Sequence, residues 1–280
     1  MAKTAYRKPK KKVHAFDIVN YIVFILIGLL VLVPIWKVVV DSFNAVGVYQ
    51  FRLWPEDFTL DGYKTIIHTQ RLYRPFINSV ITTVLGTFLG LLLSTLGGYV
   101  LIQFDMPGRN FFAYFLLFTM IFSGGMIPEY LVMKQLHLVN SMWILVVKHG
   151  MNVYNLVLMR NFFEGIPASL FEAAEIDGAR ELDKLFRITL PMATPMIFYN
   201  LIMAIISSLQ SFSQIYMLTN GSPMGSTNTM VLIIYNYGIK YRESGIASAM
   251  AWFLFLIIFG LTMIVFKTNK WVYYEGGEGQ

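Results

Sequence analysis

Polar residues that could bind a ligand stand inside two otherwise apolar stretches of this 280-residue chain. In sequence order they are Lys148, Asn152, Asn155, Asn200, Gln210, Phe212, Gln214 and Tyr216. Side-chain amides both donate and accept hydrogen bonds, as sugar hydroxyls require, and aromatic rings offer flat apolar faces. Lys148 adds a cation that would attract an acidic group. The set could therefore line a path for a ligand rich in hydroxyl groups, and its lysine would attract an acidic one.

A structural role for these residues is an open alternative. Gln210 and Gln214 stand at i and i+4, which would place them on one helical face, with Asn200 near the same side. Amides inside a helix bundle also bond neighbouring helices. Lys148, with His149 beside it, would be costly in a membrane unless it pairs with a carboxylate such as Glu129 or reaches the interface.

Other chemistry finds little support in the sequence. Cysteine is absent, so thiol nucleophiles and thiolate metal sites are excluded. No group of His, Asp and Glu has metal-ligand spacing, and no G-x-x-x-x-G-K-[ST] phosphate loop is present. Glu56, Asp57 and Asp61 look like turn and cap residues. We therefore expect no catalytic residues, no bound metal and no cofactor in this chain.

The composition indicates a membrane protein. Hydrophobic residues make up 56% of the chain and charged residues only 14%, against roughly 25% in a soluble domain. Apolar windows long enough to cross a bilayer predict an all-α protein with six transmembrane helices. The predicted spans are 18–40, 77–102, 111–133, 138–158, 195–215 and 246–266. The fifth of these is the weakest.

The distribution of Lys and Arg predicts the orientation. If both termini share one side, that side carries 13 basic residues and the opposite side 7. The positive-inside rule then places both termini in the cytoplasm. Predicted domains are a basic cytoplasmic N-terminus (1–17), a six-span domain (18–266) and a cytoplasmic C-terminal tail (267–280), which ends in a disordered EGGEGQ. The net charge of +6 is explained by contact with anionic lipid and requires no nucleic acid.

A polar segment, EAAEIDGARELDKLFRITLP, interrupts the apolar pattern within a loop at about 160–191. Ser169 and Glu172 have capping-box spacing, which predicts a short helix from Leu170, and Gly178 is placed to end it in a left-handed conformation. A second helix over 179–187 would have one apolar face, formed by Leu182, Leu185, Phe186 and Thr189. A helix of barely two turns is marginal alone, so something must pack on it.

The same segment carries a family resemblance. Glu172-Ala173-Ala174, then Gly178, and later Ile188, Leu190 and Pro191 resemble the EAA loop of the permeases of binding-protein-dependent ABC importers. The predicted topology is similar too, so the resemblance covers nearly the whole chain. It is greatest to the smaller permease of importers for complex oligosaccharides.

The resemblance implies a type I ABC importer permease fold and a mechanism. The EAA loop would form a coupling helix in a groove of a cytoplasmic ATPase, with contacts from Glu172, Ala173, Ala174 and Gly178, while Ile188, Leu190 and Pro191 shape the return to the fifth span. The partners implied are a second homologous permease, two ATPase subunits and an extracellular solute-binding protein. ATP and Mg would bind the ATPase, which is a separate chain. The location implied is the cell membrane of a prokaryote.

Two other classes are alternatives. A polytopic membrane enzyme acting on lipid-linked sugars would be expected to place paired acids or a His–acid pair at the membrane face, and we find none in the sequence. An ion-driven secondary transporter often has inverted repeats, and we detect none.

Three further patterns predict local structure. Small residues recur in the second span at Gly86, Gly90, Ser94 and Gly97-Gly98, which favours close helix packing, although a hinge is an alternative. The sequence SGG before Met126 predicts an interrupted end to the third span. The apolar run MVLIIY after residue 229 is too short to span, and we expect it on the membrane surface or inserted toward a partner.

Overall fold

The computed structural model describes residues 15–44, 51–103 and 105–272. The described residues are mostly helical and form no β-sheet, which confirms the predicted all-α class; one isolated bridge joins Asn44 and Phe58. The α-helices are α1 (Ala15–Ser42), α2 (Asp61–His68), α3 (Gln70–Ile102), α4 (Arg109–Ile121), α5 (Met126–Gln135), α6 (Trp143–Gly150), α7 (Val153–Glu164), α8 (Ala168–Ile176), α9 (Glu181–Lys184), α10 (Leu190–Met192), α11 (Thr194–Leu209), α12 (Ser213–Leu218), α13 (Met230–Tyr235) and α14 (Ser244–Lys267). Short π-helical turns occupy Leu185–Thr189 and Asn236–Lys240, and a 3-10 turn occupies Asn269–Trp271.

Three helices in the described ranges are individually long and apolar enough to cross a membrane. They are α1, α3 and α14. A fourth span results if the bent pair Glu181–Met192 and Thr194–Leu209 is counted as one. The first, second and sixth predicted spans therefore correspond to continuous helices, and the count of six stays a prediction.

The third, fourth and fifth predicted spans are broken. The third is interrupted between Ile121 and Met126, which confirms the break predicted at the SGG sequence; Gly125 there has φ of 83°. The fourth is interrupted after Gly150, a break that we did not predict. The fifth ends at Leu209 and resumes at Ser213. A 70° bend precedes it, between Met192 and Thr194.

Helix α3 lies at the centre of the bundle, against α6, α7 and α11. Its glycines allow this contact: a Cβ on Gly86 would lie 2.8 Å from the Cβ of His149, and one on Gly98 would lie 3.1 Å from the backbone nitrogen of Arg160. This confirms the close packing predicted from the small residues.

Helix α13 corrects the expectation for the MVLIIY run. Met230, Leu232 and Ile233 are buried in the bundle, where Met230 and Ile233 pack with Leu72 and Met250. The run can be short because this helix packs between other helices and does not have to span the membrane. The basic residues before residue 13 and the C-terminal EGGEGQ lie outside the described residues.

Candidate functional site

A polar cavity lies where the fourth and fifth predicted spans are broken. Its volume is about 420 Å³. It is lined by Lys148, His149, Met151, Asn152, Ser207, Ser211, Phe212, Ser213 and Gln214. Each helix break leaves backbone N–H and C=O groups without intrahelical partners. Inside a membrane such groups are tolerated where they are buried in protein or line a water-filled cavity, and there they are free to bind a ligand. The arrangement provides hydroxyls, amides, one aromatic ring and one cation on a single surface.

Four of the eight residues predicted for a ligand path line this cavity: Lys148, Asn152, Phe212 and Gln214. The other four do not. Asn200 is completely buried, with its Nδ2 donating to the backbone oxygen of Asn155 at 3.5 Å. This contact between α11 and α7 is of the interhelical kind that the sequence left open as the alternative.

The expected shared face of Gln210 and Gln214 is wrong. Gln210 follows the last residue of α11, and Gln214 belongs to α12, so no continuous helix relates them. Phe212 instead stacks on Tyr216, with ring centroids 5.4 Å apart, and both rings contact Tyr235 of α13. Ser211 and Met151 were missed as lining residues because they lie within the breaks, which periodicity does not reveal.

Lys148 forms an ion pair with Glu129 of α5. This is the partner that the sequence suggested as the structural alternative to a ligand role. Both side chains keep partial exposure, 25% for Lys148 and 29% for Glu129. Lys148 also lines the cavity, so the same side chain contacts Glu129 and faces the space where a ligand could bind.

The polar segment forms a helix that its own chain covers only on one side, where Phe171 packs against the cluster that contains Met159 and Phe163. None of the residues of α8 is buried, and Ile176 is 87% exposed. Ala173 and Glu172 are exposed and Ala174 is half-buried. The predicted capping box is wrong: the helix begins at Ala168 after Pro167, so Ser169 lies inside the first turn and caps nothing. The helix begins without a side-chain cap, and its first turn is closed by the Leu170 N–H, which donates to the Pro167 oxygen at 3.2 Å.

Gly178 ends α8 as predicted. Its φ is 78°, and its N–H donates to the Glu175 oxygen at 3.0 Å while the Ala179 N–H donates to the Ala174 oxygen at 2.9 Å. This pair of hydrogen bonds is a Schellman motif, which satisfies the last carbonyls of the helix.

The second helix of the segment differs from its prediction. Helix α9 covers one turn and continues as the π-helical turn Leu185–Thr189, so the expected single apolar face is divided. Leu185 and Thr189 are buried, whereas Leu182 is 68% and Phe186 62% exposed. Together with Ile176, the two exposed side chains leave apolar surface on the segment that the described chain does not cover.

Lys184 joins the segment to the bundle. Its ammonium group donates to Glu175 of α8 at 2.8 Å and pairs with Glu181 at 2.5 Å, although the residue is only 6% exposed. Tyr99 of α3 donates its hydroxyl to Glu181 at 3.1 Å. Hydrogen bonds to Glu175 and then Glu181 raise the pKa of Lys184, and the bond from Lys184 lowers the pKa of Glu181. A chain of polar contacts therefore runs from α8 to the central helix.

Comparison with known proteins identifies the family. The model of the family "Binding-protein-dependent transport system inner membrane component" matches residues 13–272. The chain belongs to this family. The resemblance inferred from the EAA loop is thereby confirmed.

Two relatives from Bacillus subtilis (strain 168) are similar in sequence. The polygalacturonan/rhamnogalacturonan transport system permease protein YtcP is 39% identical over 189 residues, which are 66% of each chain. Protein LplC is 35% identical over 187 residues, 66% of this chain and 63% of LplC. The matched part thus spans just under two thirds of these relatives.

The fold is also that of a solved importer. A chain in the crystal structure of a bacterial ABC transporter involved in the import of the acidic polysaccharide alginate superposes with a TM-score of 0.81 at 24% identity. The superposition covers 92% of this chain and 99% of that one. This confirms the predicted type I importer permease fold.

Proposed function

We propose that this chain is one of two permease subunits of an ATP-driven importer for an oligosaccharide. The observation that carries the proposal is the combination of family membership with a largely exposed α8 at one end of the bundle and a polar cavity among its broken helices. A binding-protein-dependent importer needs both a contact for an ATPase and a path for its substrate.

The cavity forms this chain's half of the path. Broken helices around a polar cavity are the arrangement by which transporters expose backbone and side-chain groups to a substrate inside a membrane. Asn152, Gln214 and the serines supply hydrogen bonds for hydroxyl groups, and Phe212 supplies an apolar face. A second, homologous permease would close the other side.

An acidic oligosaccharide is the substrate class that we favour. Lys148 places a cation at the cavity wall, which can attract a substrate carboxylate when its ion pair with Glu129 opens. The YtcP relative is named for polygalacturonan and rhamnogalacturonan, both of which carry uronate groups. A neutral sugar would use the same amides and hydroxyls but would gain nothing from the lysine.

The coupling role belongs to α8 and the following turn. Exposed Ala173 and Glu172 would lie in a groove of the ATPase, and the apolar side chains of Ile176, Leu182 and Phe186 would be covered there. Ala174 and Gly178 shape that surface, while Ile188, Leu190 and Pro191 direct the chain into α11. In this arrangement the segment faces the cytoplasm, a solute-binding protein docks on the opposite side, and the cell membrane is the location. ATP and Mg bind on the ATPase.

The test is reconstitution. The chain, its second permease, the ATPase and the solute-binding protein would be assembled in liposomes, and uptake of radiolabelled trigalacturonate measured with and without ATP. We expect uptake that requires ATP and the binding protein together. Uptake driven by a proton or sodium gradient without ATP would support the secondary-transporter alternative, and chemical modification of a lipid-linked sugar by the chain would support the enzyme alternative.

A further inference from the structure

Lys148, which lines the cavity, forms an ion pair with Glu129, which does not line the cavity. Among the described residues that line the cavity, Lys148 is the one with a charged partner, and that partner is Glu129. With Glu129 in place the pair is neutral, so it presents no net positive charge to the cavity. A second carboxylate entering beside Lys148 would be repelled by Glu129 unless Glu129 gave way.

Both partners lie where their charges are stabilised separately. Lys148 is in the last turn of α6, and Glu129 is in the first turn of α5. The partial negative charge at a helix C-terminus favours a cation, and the partial positive charge at an N-terminus favours an anion. When the two side chains separate, each charge is still partly stabilised by its helix end, which lowers the cost of opening the pair.

The position of Glu129 also allows movement. Helix α5 begins directly after the break at 122–125, where Gly125 has φ of 83° and where an added Cβ would meet no atom within 4 Å. Its buried attachment is at Met133, one turn beyond Glu129, which packs with Ile144 and Ile215. The free start and anchored end let the first turn of α5 swing without disrupting the core.

We infer that Glu129 is a selectivity residue, which the carboxylate of an acidic sugar replaces as the partner of Lys148 during passage. The inference rests on the proposed import of acidic oligosaccharides. No covalent bond changes; one ion pair is exchanged for another. A neutral sugar leaves the Lys148–Glu129 pair intact and passes by hydrogen bonding alone.

The experiment compares two probes of equal length in the reconstituted importer: trigalacturonate and its carboxyl-reduced, neutral counterpart. Glu129→Gln removes the competing carboxylate, so we expect the preference for trigalacturonate to rise about fivefold, the size of a partly exposed ion pair. Lys148→Gln should lower that preference by a similar factor. Lys134→Gln, on the same helix but away from the cavity, is the control and should leave the preference unchanged.

A charge swap, Glu129→Lys with Lys148→Glu, guards against variants that fail to assemble. It keeps an ion pair but places the carboxylate at the cavity, so we expect normal complex yield with loss of trigalacturonate uptake and retained uptake of the neutral probe. Recovery of wild-type preference in the swap would overturn the inference, as would an unchanged preference in Glu129→Gln. A wild-type importer that takes up neither probe would refute the sugar proposal itself, and the inference with it.

Discussion

Gly86 and Gly178 are required for different physical reasons, and single substitutions can distinguish the two reasons. Gly86 is a helical residue whose missing Cβ makes room for α6, since a Cβ there would lie 2.8 Å from His149. Gly178 has open space around it, and its requirement is the positive φ that ends α8. Gly86 therefore supports the wall of the cavity, and Gly178 supports the coupling segment (168–191).

Gly86→Ala should displace α6 and with it Lys148 and the cavity. Overpacking of this kind costs about 1–3 kcal/mol, so we expect a lower melting temperature of the purified complex and reduced uptake. Gly260→Ala in α14 is the matched control, because a Cβ there meets nothing within 4 Å. Equal melting temperatures for the two variants would contradict the close contact between α3 and α6.

Gly178→Val should impair coupling without affecting insertion. A β-branched residue in the left-handed region costs about 1–2 kcal/mol, or else the helix continues and α8 changes direction. We expect normal amounts in the membrane but reduced ATP hydrolysis in response to the binding protein. Gly178→Asn, which tolerates a positive φ, should retain most of this response; a loss as large as that of Val would rule out backbone strain as the cause.

At the level of elements, the short helices of the coupling segment depend on polar contacts with each other and with α3. Lys184 bonds Glu175 of α8, and Glu181 accepts from Tyr99 of α3. These bonds, together with the packing of Phe171 and Leu185 against the cluster that contains Tyr99, fix the position of α8 relative to the bundle. Movement of α8 with an ATPase would reach α3, and hence the cavity, through them.

Lys184→Met should weaken this link while preserving the volume of the buried stem. Hydrogen bonds of charged groups are worth about 1.5–3 kcal/mol when buried, and less here because both glutamates are largely exposed. We expect ATP hydrolysis to continue with a smaller uptake per ATP. Lys267→Met, at the end of α14, is the control; equal transport stoichiometry in both variants would show that Lys184 transmits nothing.

The pH dependence of the same link follows from its pKa shifts. The pKa of Glu181 is lowered, so its contribution is present at neutral pH and is lost as the pH falls through the lowered value. The pKa of Lys184 is raised, so its contribution is lost only in strong alkali. Transport stoichiometry in the wild type should therefore be constant between about pH 6 and 9.

The sequence predicted the continuous helices better than the breaks. Apolar length alone identifies α1 and α14, and the SGG sequence revealed the break before Met126. The break after Gly150 was not predicted, because polar residues such as Lys148 and Asn152 can also lie on a continuous transmembrane helix. The division of the second predicted helix of this segment was not predicted either, because Leu182 and Phe186 have helical spacing although both side chains are exposed in the structure.

At the scale of the whole molecule, much apolar surface is left without contacts in the chain. Helix α1 has no buried residue in its most apolar window and reaches the bundle mainly through α14. Lipid covers part of such surface in a membrane, and a second permease would cover more. In the proposed arrangement this chain encloses only part of a path, and the second permease would enclose the rest.

Expression of the chain alone should therefore give little stable protein. We expect co-expression with the second permease to increase the amount recovered as a monodisperse complex, measured by size-exclusion chromatography in detergent. A single chain that is monodisperse and transports an oligosaccharide by itself would contradict the two-permease arrangement.

Binding-protein-stimulated ATP hydrolysis by the reconstituted importer, measured with Arg introduced on α8, shows whether α8 couples this chain to the ATPase. Ala173→Arg changes an exposed position, so the chain should fold and assemble in the membrane, and Ala174→Arg adds bulk beside it. Asn161→Arg, exposed on α7 outside the segment, is the control. We predict that both α8 variants reach normal membrane levels but lose stimulation, while the control retains it. Wild-type stimulation in both α8 variants would contradict a coupling role for this segment.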